Sequence, residues 1–279
     1  MKSCFFKQGF LLSVVCTALS IQGLEIPADF KQIPCDIVPR IHHQIEAIDN
    51  RFTHPHIPLR EGTSTNWAGY VSVTNLHTPA PYSVTSVSGS WIVPALSKST
   101  GTTYCSMWVG IDGYTSGSVE QLGTEHDWVN GKQQNTAWFE MYPQYPYNIT
   151  GFPVNVGDSI SASVVYLGNN VFVLTMTNNT RKVYFAVPTS YTKSTTAQRS
   201  CAEWIMEAPF ATSVLPLSHF GTVHFSNCLA KINGISGAIN NSKWVYDPLT
   251  MVTSSNVPKA TLSGLTNNGK DFTVTWKHE

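Results

Sequence analysis

A chain of 279 residues leaves room for one large domain behind a processed N-terminal segment, and not for two full domains. Its 17 basic and 17 acidic residues cancel, and the longest basic run beyond the N-terminus is the pair Arg181-Lys182, which argues against a nucleic-acid partner. Charged residues make up only 12% of the chain while Ser, Thr, Asn, Gly and Tyr abound, as on a hydroxyl-rich extracellular surface.

Two lysines, Lys2 and Lys7, precede an apolar run from Phe10 to Leu19, and small residues follow. This is the pattern of a secretory signal peptide over residues 1–23, cleaved near Ser20 or Gly23, and it places the protein outside the cell. The run is too short to anchor in a bilayer and no later stretch approaches the ~20 apolar residues of a membrane helix, so no membrane association is expected.

From Leu24 to Gly62 the composition changes. Pro27, Pro34, Pro39, Pro55 and Pro58 punctuate this stretch, which also holds His42, His43, His54 and His56. It reads as a pro-segment over residues 24–62, whose four histidines, with ordinary pKa values near ~6.5, become cationic on acidification and loosen a mask. No further residues at ligand spacing support a metal site there. Outside the signal peptide stand Cys35, Cys105, Cys201 and Cys228, an even set that in an oxidising compartment implies disulfides with three possible pairings. Their spacing lacks the paired CxxC units of a structural zinc site.

Beyond Thr63 the pattern is of short β-rich runs separated by Gly, Asn, Pro and Asp. Strands are expected over Asn66-Val73, Tyr82-Val93, Ser106-Ile111, Ala137-Tyr142, Ser159-Tyr166, Val171-Thr177, Val183-Val187, Glu203-Met206 and Phe272-Trp276. Asn169-Asn170 is a hairpin turn signal, and Asn178-Asn179 another. No convincing helical stripe exceeds about three turns, so the domain at 63–279 is expected to be all-β, an antiparallel β-sandwich. His126, beside Asp127, reads as a solvated loop histidine.

Three segments concentrate tryptophan beside carboxyl and amide side chains: Trp108 to Gly113 with Gln121, Ala137 to Pro143 including Trp138 and Glu140, and Cys201 to Glu207. On a strand, Glu203, Ile205 and Glu207 share one face and Ala202, Trp204 and Met206 the other. Glu203 therefore projects into either the core or a cleft.

Six motifs in order carry a resemblance to the glutamic peptidases, the eqolisins: Asn66-Trp67-Ala68-Gly69, Trp91-Ile92-Val93-Pro94, Trp108-Val109-Gly110-Ile111-Asp112-Gly113, Glu120-Gln121-Leu122-Gly123, Ala137-Trp138-Phe139-Glu140-Met141-Tyr142-Pro143 and Ala202-Glu203-Trp204-Ile205-Met206-Glu207. The resemblance implies two large curved antiparallel sheets of the concanavalin A-like kind, one of them forming a substrate groove. It implies a cofactor-free, monomeric endopeptidase acting on protein or peptide substrates at acidic pH. Gln121 and Glu203 match the family's catalytic pair, and Trp108, Trp138 and Glu140 match residues lining its groove. The chain departs where fungal members carry Asp two positions before the groove tryptophan, since Thr136 stands here, and in being neutral where they are strongly acidic.

Chemically the pair suffices. A carboxylate at Glu203 can accept a proton from an attacking water and return it to the departing amine, while the Gln121 amide donates to the developing oxyanion. A free Glu titrates near ~4.3, so acidic operation is expected. The rival reading is a carbohydrate-active or carbohydrate-binding sandwich, using Glu140 with Glu203 as paired carboxylates or the tryptophans as stacking platforms.

Overall fold

Runs rich in β-branched and hydroxylated residues, interrupted by residues that tolerate left-handed backbone, have one economical solution, which is strands hydrogen-bonded side by side with their apolar faces turned together. A computed structural model of the chain describes residues 26–40, 58–60, 62–191 and 195–279. The proposed signal peptide and the histidines at 42, 43, 54 and 56 lie outside these residues.

In chain order the strands are β1 (Lys31–Gln32), β2 (Asp36–Pro39), β3 (Pro58–Arg60), β4 (Thr63–Ser64), β5 (Trp67–Val73), β6 (Val84–Ile92) and β7 (Thr103–Ile111). They continue with β8 (Val119–Val129), β9 (Lys132–Tyr142), β10 (Tyr147–Thr150), β11 (Ser159–Gly168), β12 (Val171–Asn178), β13 (Val183–Ser190) and β14 (Cys201–Glu207). The last are β15 (Thr222–Ile232), β16 (Ile235–Ala238), β17 (Val245–Val252), β18 (Pro258–Leu262) and β19 (Phe272–Trp276). A single 3-10 turn at Asn267–Gly269 is the helical content of the described residues, among which no helix is long and apolar enough to cross a membrane.

The front sheet runs β2-β10-β9-β8-β7-β14-β5-β17, each neighbour antiparallel. The back sheet centres on β13-β12-β11-β6-β15-β19-β18. β17 joins the two, pairing with β5 in one sheet and β18 in the other. Among the described strands, parallel pairing is confined to β1 on β13 and β4 on β17. Asn169 and Asn170 both take left-handed backbone at φ 51° and 60°, which lets a two-residue turn join β11 to β12 with the twist the ladder requires.

Between the sheets lies one core. Met107, Val109, Leu122, Phe139, Trp204 and Met206 of the front sheet pack with Val87, Ile160, Val164, Phe172, Phe225 and Val274 of the back sheet. The opposite face of the front sheet carries a second apolar group of Trp67, Val71, Trp108, Trp138, Cys201 and Ile205. The alternation expected along β14 holds: Ala202, Trp204 and Met206 enter the core, and Cys201 and Ile205 turn outward.

Two expectations are corrected. The four cysteines are free thiols and no disulfide joins them. Cys105 and Cys228 sit in the core between the sheets, whereas Cys201 lies on the other face of the front sheet, so pairing across it would require a strand to rotate. His126 is not a solvated loop residue but is fully buried within β8. Its Nε2 meets Thr124 Oγ1 at 3.0 Å and its Nδ1 meets Asn135 Oδ1 at 2.9 Å, while Trp91 Nε1 donates to the same Thr124 hydroxyl at 2.9 Å. Burial drives the His126 pKa down to about 4, so the imidazole stays neutral there.

Candidate active site

Strand register brings the expected pair together. Glu203 on β14 lies opposite Gly110 on β7, Gly110 opposite Gln121 on β8, and Gln121 opposite Glu140 on β9. These four positions form one row across the front sheet, on the face turned away from the core. Gly110 is what makes the row usable, since a Cβ there would lie 2.8 Å from the Trp108 ring and 3.2 Å from Gln121 Cβ. With no side chain between them, Glu203 and Gln121 flank the glycine on one face of the sheet, from strands whose backbones stand about 10 Å apart.

The next row is Ile205, Trp108, Gly123 and Trp138. Gly123 is required here as well, because a Cβ would meet Trp108 Cβ at 2.5 Å. Trp108 stands edge-on to Trp67 at 4.9 Å between ring centroids. Its Nε1 donates to Glu207 Oε2 at 2.7 Å, and Trp138 Nε1 donates to Ser106 Oγ at 2.8 Å. Both tryptophans are thus fixed by a hydrogen bond as well as by packing, and both are buried.

The amide of Gln121 donates to Glu140 Oε2 at 2.7 Å, which leaves its second N–H for another acceptor. Among the described residues, Gln121 Oε1 and Glu203 Oε2 are buried without a hydrogen-bond partner. Glu203 Oε1 accepts from the Cys201 thiol at 3.2 Å. Behind the pair, Asp112 holds left-handed backbone at φ 72° and accepts the N–H of Arg199 at 2.5 Å and of Ser200 at 2.7 Å. The loop leading into β14 is tied to the end of β7 in this way.

Burial sets the electrostatics. It pushes Glu203 well above the usual carboxylate range, a rise that the Cys201 hydrogen bond opposes and the charge of Asp112 reinforces. Glu140 is lifted to about 7 by burial against the pull of Arg40 and the Gln121 hydrogen bond. Glu207 is lifted to about 8, again by burial and against the Trp108 hydrogen bond. Glu140 and Glu207 therefore retain protons in weakly acidic solution.

Sequence reasoning gave little notice of three residues here. Glu207 proves to be the anchor of Trp108. Glu120 is fully buried and accepts a short hydrogen bond from Tyr191, whose hydroxyl also lies 2.9 Å from Tyr142 O. Arg40, from the segment ahead of the domain, lies 4.9 Å over the Trp138 ring and forms an ion pair with Glu125.

Known proteins resemble this chain in sequence and in fold. The profile described as the Peptidase A4 family matches residues 65–276. Aspergillopepsin-2 of Aspergillus niger is 29% identical over 195 residues, 62% of this chain and 67% of that protein. Scytalidopepsin B of Scytalidium lignicola is 27% identical over 221 residues, 75% of this chain and 79% of that one. Among solved structures, scytalido-glutamic peptidase bound to a transition-state analogue inhibitor superposes with a TM-score of 0.64 at 23% identity, covering 76% of this chain and 98% of that one. Aspergilloglutamic peptidase from Aspergillus niger gives 0.56 at 25% identity, covering 63% and 99%.

Proposed function

The chain belongs to the peptidase A4 family and is a glutamic endopeptidase, and on that premise we propose that Glu203 and Gln121 are its catalytic pair, cleaving peptide bonds outside the cell at acidic pH. The observation that carries this reading is the row Glu203, Gly110, Gln121, Glu140, with an unpartnered oxygen on each member of the pair. A buried acceptor without a partner costs free energy, and a water held between Glu203 Oε2 and Gln121 Oε1 satisfies both.

Such a water is the nucleophile. Glu203 takes its proton as the oxygen attacks the scissile carbonyl, and the free N–H of Gln121 donates to the oxyanion that forms. The proton then passes from Glu203 to the leaving nitrogen, and the C–N bond breaks. Glu140 holds the Gln121 amide in the donating orientation, Trp138 offers substrate a wall once Arg40 leaves it, and Trp108 backs that wall from beneath. Protonated Glu140 and Glu207 avoid placing further negative charge beside the oxyanion, which favours working at acidic to weakly acidic pH.

Casein digestion at acidic pH tests the class. The site offers no aspartate pair for pepstatin to bridge and no nucleophilic serine, and Cys201 is fully buried. Activity should survive pepstatin, EDTA, fluorophosphonate and iodoacetamide, and full loss with any one of them would place the protein in another catalytic class.

A further inference from the structure

Beyond the row of Glu203 and Gln121, the chain itself covers part of the same sheet face. β2 adds to the edge of β10 as an antiparallel strand, with Asp36, Ile37, Val38 and Pro39 opposite Thr150, Ile149, Asn148 and Tyr147. The pairing continues for one residue, as Arg40 N–H donates to Pro146 O at 3.0 Å. Apolar burial is not what holds this strand, because Ile37 and Val38 are 41% and 38% exposed. Arg40 alone is buried, at 6% exposure.

Its guanidinium lies over the indole of Trp138 and is paired with Glu125. Both partners project from the face that carries Gln121 and Glu140, because β8 places Gln121, Gly123 and Glu125 on it and β9 places Trp138 and Glu140. Burial lowers the Arg40 pKa to about 10, and the negative charges of Asp127, Glu140 and Glu207 oppose the drop, so the group is cationic at any working pH. A planar cation between a carboxylate and an aromatic face, delivered by an extended backbone added to a sheet edge, is a way of binding peptide. The planar stack favours arginine over lysine.

We infer that Glu125, Trp138 and the edge of β10 that β2 now covers form a subsite for a basic side chain of an extended peptide, arginine before lysine, and that Arg40 is the chain's own occupant of it. The inference rests on the peptidase reading insofar as the peptide is a substrate. It carries a consequence for the segment itself, which must leave β10 before an arginine-bearing peptide can take its place.

The test uses the full chain carrying Arg40→Ala, to empty the subsite, and Glu203→Gln, to prevent cleavage. It is titrated with a fluorescent peptide reproducing residues 33–40 with serine for Cys35, and with the same peptide bearing norleucine for the arginine. The arginine peptide should bind at least about tenfold more tightly. Glu125→Gln should bring the ratio close to one, and restoring Arg40 should weaken binding of the arginine peptide. Equal binding of the two peptides, binding of neither, or a ratio unchanged by Glu125→Gln would overturn the inference. The peptide pair decides the matter on the Arg40→Ala chain even if the Glu125 variant fails to fold. Casein turnover of the chain with Glu203 intact is measured separately: arginine-dependent binding without turnover would leave the subsite standing and remove the peptidase reading, and turnover with equal binding would do the reverse.

Discussion

Gln121 Nε2 donates to Glu140 Oε2 at 2.7 Å, and this bond fixes which way the amide faces Glu203. An amide free to flip would present its oxygen to the oxyanion half of the time. Held as it is, it keeps one N–H free. Gln121→Ala removes that donor and should lower kcat by roughly 100 to 1,000-fold with a smaller change in KM, because the bond strengthens as charge develops. Steady-state kinetics on a folded variant is the check, and a loss confined to KM would speak against the role.

Gly110 gives a second prediction. A methyl group there meets the Trp108 ring at 2.8 Å and Gln121 Cβ at 3.2 Å, so Gly110→Ala should push both aside. Overpacking of this kind costs about 1–3 kcal/mol of stability. Turnover should fall by more than about tenfold at a temperature where the variant is fully folded, since positioning errors near 1 Å are costly. Melting temperature and kcat measured together separate the two effects.

The buried carboxyls give a third. A group whose pKa is higher folded than unfolded contributes stability that is complete below its unfolded value and is lost as pH rises through its folded value. For Glu140 that window runs from 4.5 to about 7, and for Glu207 from 4.5 to about 8. Glu203 and Glu120 are shifted in the same direction by burial. His126 acts oppositely: its pKa is lowered to about 4, so its contribution is lost as pH falls from 6.5 toward that value. Asp112 is raised by burial as well, and with five carboxyls against one imidazole the melting temperature should decline between pH 5 and pH 8, and Glu207→Gln should flatten the decline. Thermal scans across that range provide the measurement.

Much of this was legible in the sequence, and the exceptions have physical causes. β5, β7, β9 and β14 announce themselves because apolar residues fill their core faces, and the ordered motifs carry Gln121 and Glu203. β8 hides its pattern. It places Glu120, Thr124 and His126 on the core face and Gln121, Glu125 and Asp127 on the groove face, so polarity does not alternate and His126 reads as solvated. The buried hydrogen bonds that make this tolerable, from Trp91 and Tyr191, come from strands and loops distant in sequence. For the same reason the row through Gly110 is invisible beforehand: register across four strands is a property of the sheet. Arg40 is one of four basic residues in the proline-punctuated stretch, with Lys31, Arg51 and Arg60, and is signalled only by the extended Asp36-Ile37-Val38-Pro39 before it. The cysteines misled because their even number says nothing about which face of a sheet each occupies.

The account stands or falls on Glu203. Glu203→Gln keeps the shape of the side chain, and the Cys201 thiol can still donate to its carbonyl oxygen, while the group that accepts the water's proton is gone. The direct measurement is casein or peptide turnover by this variant across the acidic range, with circular dichroism and melting temperature establishing that it is folded. The account predicts a loss of at least about 100-fold that no pH restores. A folded Glu203→Gln protein working at more than about a tenth of the parent rate would contradict it.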